Sequence, residues 1–228
     1  MPKPTFVLSL GGSLIAPASG PDIAYLGAVK SFLLNQIKHG RRFLVVAGGG
    51  QTARAYLSAA RALGQSSNTQ LDWLGIAATR LNAELLKNIF RPVCAEEIIT
   101  DPTAPLGSRK NLLIAGGWKP GASTDHVAVR LAENIGARII INLSNIDYVF
   151  DQDPKRSAAA KPLANLAWPE LTGLIGKKWR PGANLPFDPI AAQRAAAKKM
   201  TAIIANGRDF KNLADILDGK KFIGTIIS

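Results

Sequence analysis

Six short runs of the chain are almost continuously apolar: Thr5–Leu10, Phe43–Ala47, Asn111–Ala115, Arg138–Leu143, Thr201–Ala205 and Ile223–Ile227. Runs of that length without strict alternation fit strands covered on both faces. Between them the apolar spacing becomes helical. Ile23, Leu26, Val29, Leu33 and Ile37 form one stripe, opened by Pro21-Asp22 and closed by Gly40. Leu71, Leu74, Ala78, Leu81, Leu85 and Ile89 form a second; Val127, Leu131 and Ile135 form a third. Trp73 and Trp168, at helix starts, are expected in the core. Strand–helix alternation from end to end predicts an α/β sandwich with a largely parallel sheet. No repeat and no linker divides the chain, so residues 1–228 read as one continuous fold.

Ligands of such sheets sit where the C-terminal ends of strands meet helix N-termini. Three apolar runs end there in glycine. The first gives Gly11-Gly12-Ser13, whose small residues let backbone N–H groups approach phosphate oxygens. The second gives Gly48-Gly49-Gly50, with Arg54 on the helix that follows, aiming a guanidinium at the same place. The third runs Gly116-Gly117-Trp118-Lys119-Pro120-Gly121 into Ser123-Thr124-Asp125, an N-cap pattern that is also an anion site. Gly48-x-Gly50-x-x-Ala53 formally matches a dinucleotide fingerprint, with Asp72 about 20 residues on. That acid, however, opens the second helical stripe instead of ending a strand, so the dehydrogenase reading fails. No G-x-x-x-x-G-K-[ST] segment occurs, which excludes a P-loop. Two polar loops follow. One holds Asn145, Asp147, Asp151 and Asp153 beside Phe150; in the other, Asp188 caps a helix with Pro189 at its first position.

Charge changes this picture little. The net charge is +12, but it divides evenly, +6 in residues 1–110 and +6 in residues 111–228. Aromatic residues are 7% and do not interleave with basic ones, so small anions explain the field better than a nucleic acid. Lys177, Lys178 and Arg180 read as a solvated face. A single cysteine, Cys94, excludes a disulfide framework and suits a reducing cytoplasm. His39 and His126 are isolated and read as structural. No uninterrupted apolar segment approaches the roughly 18 residues of a spanning helix. The apolar stretch Phe6–Ile15 is split by Gly11-Gly12-Ser13, so it reads as strand and loop and not as a secretory signal.

Six ordered motifs together resemble the UMP kinases of the amino acid kinase superfamily, in particular the archaeal-type branch. They are Gly11-Gly12-Ser13, Gly48 to Arg54, Leu71-Asp72-Trp73-Leu74-Gly75-Ile76 with Thr79-Arg80-Leu81-Asn82-Ala83, Gly116 to Asp125, Asn145 to Pro154, and Asn184 to Ala191. The resemblance implies a three-layer α/β/α sandwich, with an acceptor part over about residues 1–136 and an ATP part over about 137–228. It implies transfer of the γ-phosphoryl of ATP to UMP with Mg²⁺, in a cytoplasmic homo-oligomer, a hexamer built from dimers. Gly11, Gly12, Ser13, Gly49 and Arg54 would hold the ATP phosphates, and Ser144, Asn145, Phe150 and Asp153 the adenosine. Gly48, Asp72, Trp118, Lys119, Pro120, Gly121, Ala122, Ser123 and Thr124 would hold UMP. Asp125 and Asp188 would organise the reacting groups, with Mg²⁺ carried mainly by the ATP phosphates near them. Two positions depart from the family: Ser9 replaces a lysine, leaving Lys119, Arg54 or Arg180 to supply a cation, and Tyr148 replaces a glycine. A kinase of another small acceptor, such as isopentenyl phosphate or a carbamate, is the next reading; the lack of a histidine beside Gly48–Gly50 disfavours the isoprenoid acceptor. An oxyanion-storage relative is disfavoured by Asp125, Asp188 and Asn145.

Overall fold

The computed structural model describes residues 3–65, 67–154, 156–176 and 185–228. Lys177, Lys178, Arg180 and Asn184 lie outside the described residues. The chain runs β1 (Thr5–Leu10), α1 (Gly12–Ile15), α2 (Ile23–Lys38), β2 (Arg42–Ala47), α3 (Gly50–Ala62), α4 (Asn68–Ile89), β3 (Leu112–Ala115), α5 (Thr124–Asn134) and β4 (Ile139–Ser144). It continues through β5 (Val149–Phe150), β6 (Pro162–Leu163), β7 (Asn165–Leu166), α6 (Trp168–Ile175), α7 (Pro189–Ala197), β8 (Thr201–Asn206), α8 (Phe210–Leu217) and β9 (Thr225–Ile227). All six apolar runs are therefore strands.

They join one seven-stranded sheet in the order β3-β2-β1-β4-β8-β9-β7, parallel except where β8 meets β9. Because parallel strands need covered crossovers, both faces are clothed. Leu8, Leu10, Val45, Ile114, Ile141 and Ala205 pack under α2, α4 and α8. Val7, Leu44, Val46, Leu113, Ile140 and Ile204 pack under α5, α6 and α7. The three layers of the expected sandwich are present. After β3 the crossover through α5 changes face, and β4 lands on the far side of β1. The strand order thus reverses between β1 and β4, and a crevice opens at their C-terminal ends. There the backbone N–H of Gly11 donates to the Leu143 carbonyl at 2.8 Å.

Local chemistry sets the helix ends. Asp22 accepts from the Tyr25 N–H at the start of α2, and Gly40, just past its end, has φ +84°. The stripes drawn from spacing need correction at three positions. Ile23, Leu81 and Trp73 are 84%, 61% and 46% exposed. Helix α4 turns Leu71, Ile76, Ala83 and Leu86 inward, so Trp73 and Leu81 fall on its outer face. Periodicity finds a helix but leaves its rotation open by about one residue, 100°, when apolar residues lie all round it. Trp168, by contrast, is buried and donates its indole N–H to the Met200 carbonyl.

Candidate active site

The first two glycine loops press backbone against backbone. A Cβ on Gly12 would stand 2.0 Å from the Gly50 nitrogen and 2.5 Å from the Gly48 carbonyl carbon. One on Gly48 would meet the Gly12 nitrogen at 2.4 Å, and Gly50 has φ +65° besides. These glycines serve loop-to-loop contact as well as ligand approach. Helix α4 then ties the second and third loops together. Asn82 Nδ2 donates to the Gly48 carbonyl at 2.8 Å, and Thr79 Oγ1 accepts from the Gly117 N–H at 2.7 Å. Arg80 donates from Nε to the Gly117 carbonyl and from Nη2 to the Trp118 carbonyl, each at 3.0 Å. Asp72 Oδ2 accepts from the Gly121 N–H at 2.7 Å. Asp72 is not at the helix start: α4 begins at Asn68 after the N-cap Ser67, so Asp72 stands one turn in and cannot cap it. Burial pushes its carboxyl above the usual carboxylate range, against the Gly121 bond.

A carboxylate pair lies across the crevice. Ser123 caps α5 by accepting from the His126 N–H, which sets Asp125 in the first turn. Asp125 Oδ1 accepts from Ser9 Oγ at 3.1 Å and from Asn142 Nδ2 at 3.0 Å. Ser9 on β1 and Asn142 on β4 are register partners, two polar side chains within largely apolar strands. Asp125 Oδ2 accepts from the Asp188 N–H at 3.0 Å. Asp188 is 5% exposed, caps α7 through Oδ1 to the Ala191 N–H, and leaves Oδ2 buried without a partner among the described residues. Burial, and then the charge of Asp188, push the Asp125 carboxyl up to about 7; the Ser9 and Asp188 donors pull the other way. Asp188 is also raised by burial. Ser9 thus brings a neutral donor to Asp125, where the resemblance leads one to expect a lysine.

The remaining expected residues distribute as follows. Ser13 is part-buried in α1, and Gly49 stands against α3, its Cβ position 2.6 Å from that of Ala53. Ser144 ends β4 beside Gly11, its Oγ buried without a partner among the described residues. Asn145 is exposed in the loop that follows. Phe150 sits in the β5–β6 hairpin, and Asp153, beyond it, faces Arg156 at 3.6 Å. Tyr148 keeps out of the left-handed region, so the turn accepts its side chain without backbone strain. Pro120, Gly121 and Ala122 form a turn closed by the Ala122 N–H on the Lys119 carbonyl. Lys119 is exposed, its ammonium 4.0 Å from the centre of the Trp118 ring. Arg54 is exposed and bonds Gln51; neither it nor Lys119 bonds the carboxylate pair. Sequence reasoning assigned no role to Thr79, Arg80, Asn82 or Asn142. The first three lie in the T-R-x-N-A motif, and the fourth is a polar residue within an apolar run, so each left a trace.

Residues 4–206 match the model of the amino acid kinase family. The chain is 35% identical over 229 residues to the uridylate kinase of Methanospirillum hungatei, covering 99% of this chain and 95% of that protein. It is 32% identical to the uridylate kinase of Pyrococcus abyssi, covering 94% of this chain and 95% of the relative. The solved uridylate kinase of Archaeoglobus fulgidus superposes with a TM-score of 0.81 at 32% identity, covering 98% of this chain and 99% of that one. A parallel sheet with a glycine-lined crevice at its switch point is thus the frame of a kinase, and the chain belongs to the amino acid kinase family. Within that family it stands with the archaeal-type uridylate kinases.

Proposed function

We propose that this chain transfers the γ-phosphoryl group of ATP to UMP, giving ADP and UDP. The observation that supports it best is the convergence of three glycine loops and the Asp125–Asp188 pair on one edge of the sheet. Kinship with uridylate kinases along the whole chain points the same way. In this reading an oxygen of the UMP phosphate attacks the γ-phosphorus and the bond to the β-phosphate bridging oxygen breaks. Such a transfer needs alignment and charge neutralisation more than a strong base. Gly11, Gly12, Ser13, Gly49 and Arg54 hold the ATP phosphates, and Ser144, Asn145, Phe150 and Asp153 receive the adenosine. Gly48, Asp72 and the segment Trp118–Thr124 receive UMP. In this reading about residues 1–136 are the acceptor part, whose first two glycine loops also reach the ATP phosphates, and about 137–228 are the ATP part.

Asp125, held by three donors, is a fixed carboxyl between the two parts, and its charge is available above about pH 7. The buried, unpartnered Asp188 Oδ2 beside it fits a hydrated Mg²⁺ carried by the ATP phosphates. That ion, when bound, neutralises charge on the transferred group. Lys119 is the cation of the acceptor loop. The protein works in the cytoplasm as a homo-oligomer, a hexamer built from dimers. In support, Trp73 and Leu81 on α4 and Tyr56 on α3, at 46%, 61% and 63% exposure, are large apolar or aromatic side chains left uncovered in a single chain. Light scattering at micromolar concentration should give a multiple of the chain mass; a monomer refutes this assembly.

The test of the reaction is ADP release with UMP, CMP, dUMP and isopentenyl phosphate as acceptors. UMP should be preferred over CMP, because groups that pair with a uracil edge are left unpaired by cytosine. No turnover of UMP overturns the proposal. Asp72→Asn should raise the KM for UMP by about 10- to 150-fold, the loss of one charge-assisted bond to the ribose. The KM for ATP should hardly move. Since Asp72 is no cap, and an asparagine oxygen still accepts from Gly121, stability should change little.

A further inference from the structure

Arg80 is the residue of α4 that charge balance does not explain. Its guanidinium is part-buried, and no carboxylate lies within 4.0 Å of it among the described residues. Among the described residues its hydrogen bonds go to consecutive backbone carbonyls, those of Gly117 and Trp118. Taking an arginine out of water against two neutral carbonyls, with no counter-ion, is costly. The return has to come from what those carbonyls' direction does.

Peptide units are planar and trans, so the carbonyl of one residue and the N–H of the next point opposite ways. With the Gly117 carbonyl turned toward α4, the N–H of Trp118 faces away from it. The Trp118 carbonyl fixes the Lys119 N–H in the same manner. Neither N–H meets an acceptor among the described residues. Packing leaves the loop no slack. A Cβ on Gly116 would stand 2.9 Å from Arg80 Cγ, and one on Gly117 would stand 2.8 Å from Thr79 Oγ1. Loop and helix are therefore in direct contact, and Arg80 sets the rotation of two successive peptide planes.

We infer that Arg80 is a positioning residue: by holding two consecutive carbonyls it aims the N–H groups of Trp118 and Lys119 as a two-donor cradle for the acceptor's phosphate oxygens. Two parallel backbone donors suit an anionic oxygen better than any neutral part of a nucleoside. The Lys119 ammonium, which lies over the Trp118 ring of the same loop, adds charge of the right sign. This inference rests on the proposed UMP reading.

The test is calorimetric binding of UMP and of uridine to the full-length wild type, Arg80→Lys and Arg80→Gln, alongside the kinase assay. Neither replacement carries the planar fork that reaches both carbonyls. UMP should bind at least about tenfold more weakly to both variants, each about as stable as the wild type, while uridine affinity stays within about twofold. Equal weakening of UMP and uridine makes Arg80 a mere structural prop and overturns the inference. So does unchanged UMP binding in an active enzyme. A wild type inert toward UMP overturns the functional reading itself, and the inference with it.

Discussion

Replacing Asp125 by asparagine should lower kcat by about 100- to 1000-fold, the scale of removing one pre-organised charge from a transfer site. The fold should survive, because the partners are adaptable. The asparagine oxygen can keep the Asp188 N–H, while the Ser9 hydroxyl and the Asn142 amide can each reverse to accept from the new amide. Stability should show a pH signature. In the folded protein Asp125 titrates at about 7 instead of the ordinary 3.8, so between those values the folded chain holds a proton that the unfolded chain has lost. Unfolding free energy from this group therefore falls as the pH rises through that window. Asparagine does not titrate. Denaturant melts of the ligand-free protein should show the variant gaining on the wild type from about pH 4 to about 7, then holding level. A constant gap across that range, or full activity of the variant, would refute the assignment.

Gly12→Ala should be the most damaging single-carbon change in the chain. Its methyl group would lie 2.0 Å from one backbone nitrogen and 2.6 Å from the next, those of Gly50 and Gly49. Backbone cannot swing aside as a side chain can, so the first and second loops must part. We expect a loss of at least about 3 kcal/mol of stability, at the upper end for overpacking. Turnover should disappear, because both phosphate loops are displaced together. Gly27→Ala is the control: it is an exposed position of α2 with nothing within 4 Å of its Cβ position. That change should stabilise the chain by about 0.5–1 kcal/mol. Thermal melts of the two variants decide the matter, and a Gly12→Ala protein as stable as the wild type would sink the argument.

The sequence by itself determined the layers and the strand ends, because both are written in short-range pattern. Continuous apolar runs specify strands buried on two faces, and glycine at their C-terminal ends marks the edge where ligands enter. Caps were equally legible: Asp22, Ser123 and Asp188 all accept from the N–H three residues on. The family could be read as well, since six local motifs in order carry it. What only the tertiary structure decided are relations between distant segments. The rotation of α4 is one: it turned Trp73 outward and brought Thr79, Arg80 and Asn82 onto the loops. Another is the meeting of Ser9 and Asn142 on Asp125, residues of β1, β4 and α5, which depends on the register of two strands and on the face chosen by a crossover. The double duty of Gly12, Gly48 and Gly50 is a third, for close approach of two backbones leaves no mark in either segment alone. Local pattern encodes what a segment is; which segments face each other is set by how all their buried surfaces fit at once.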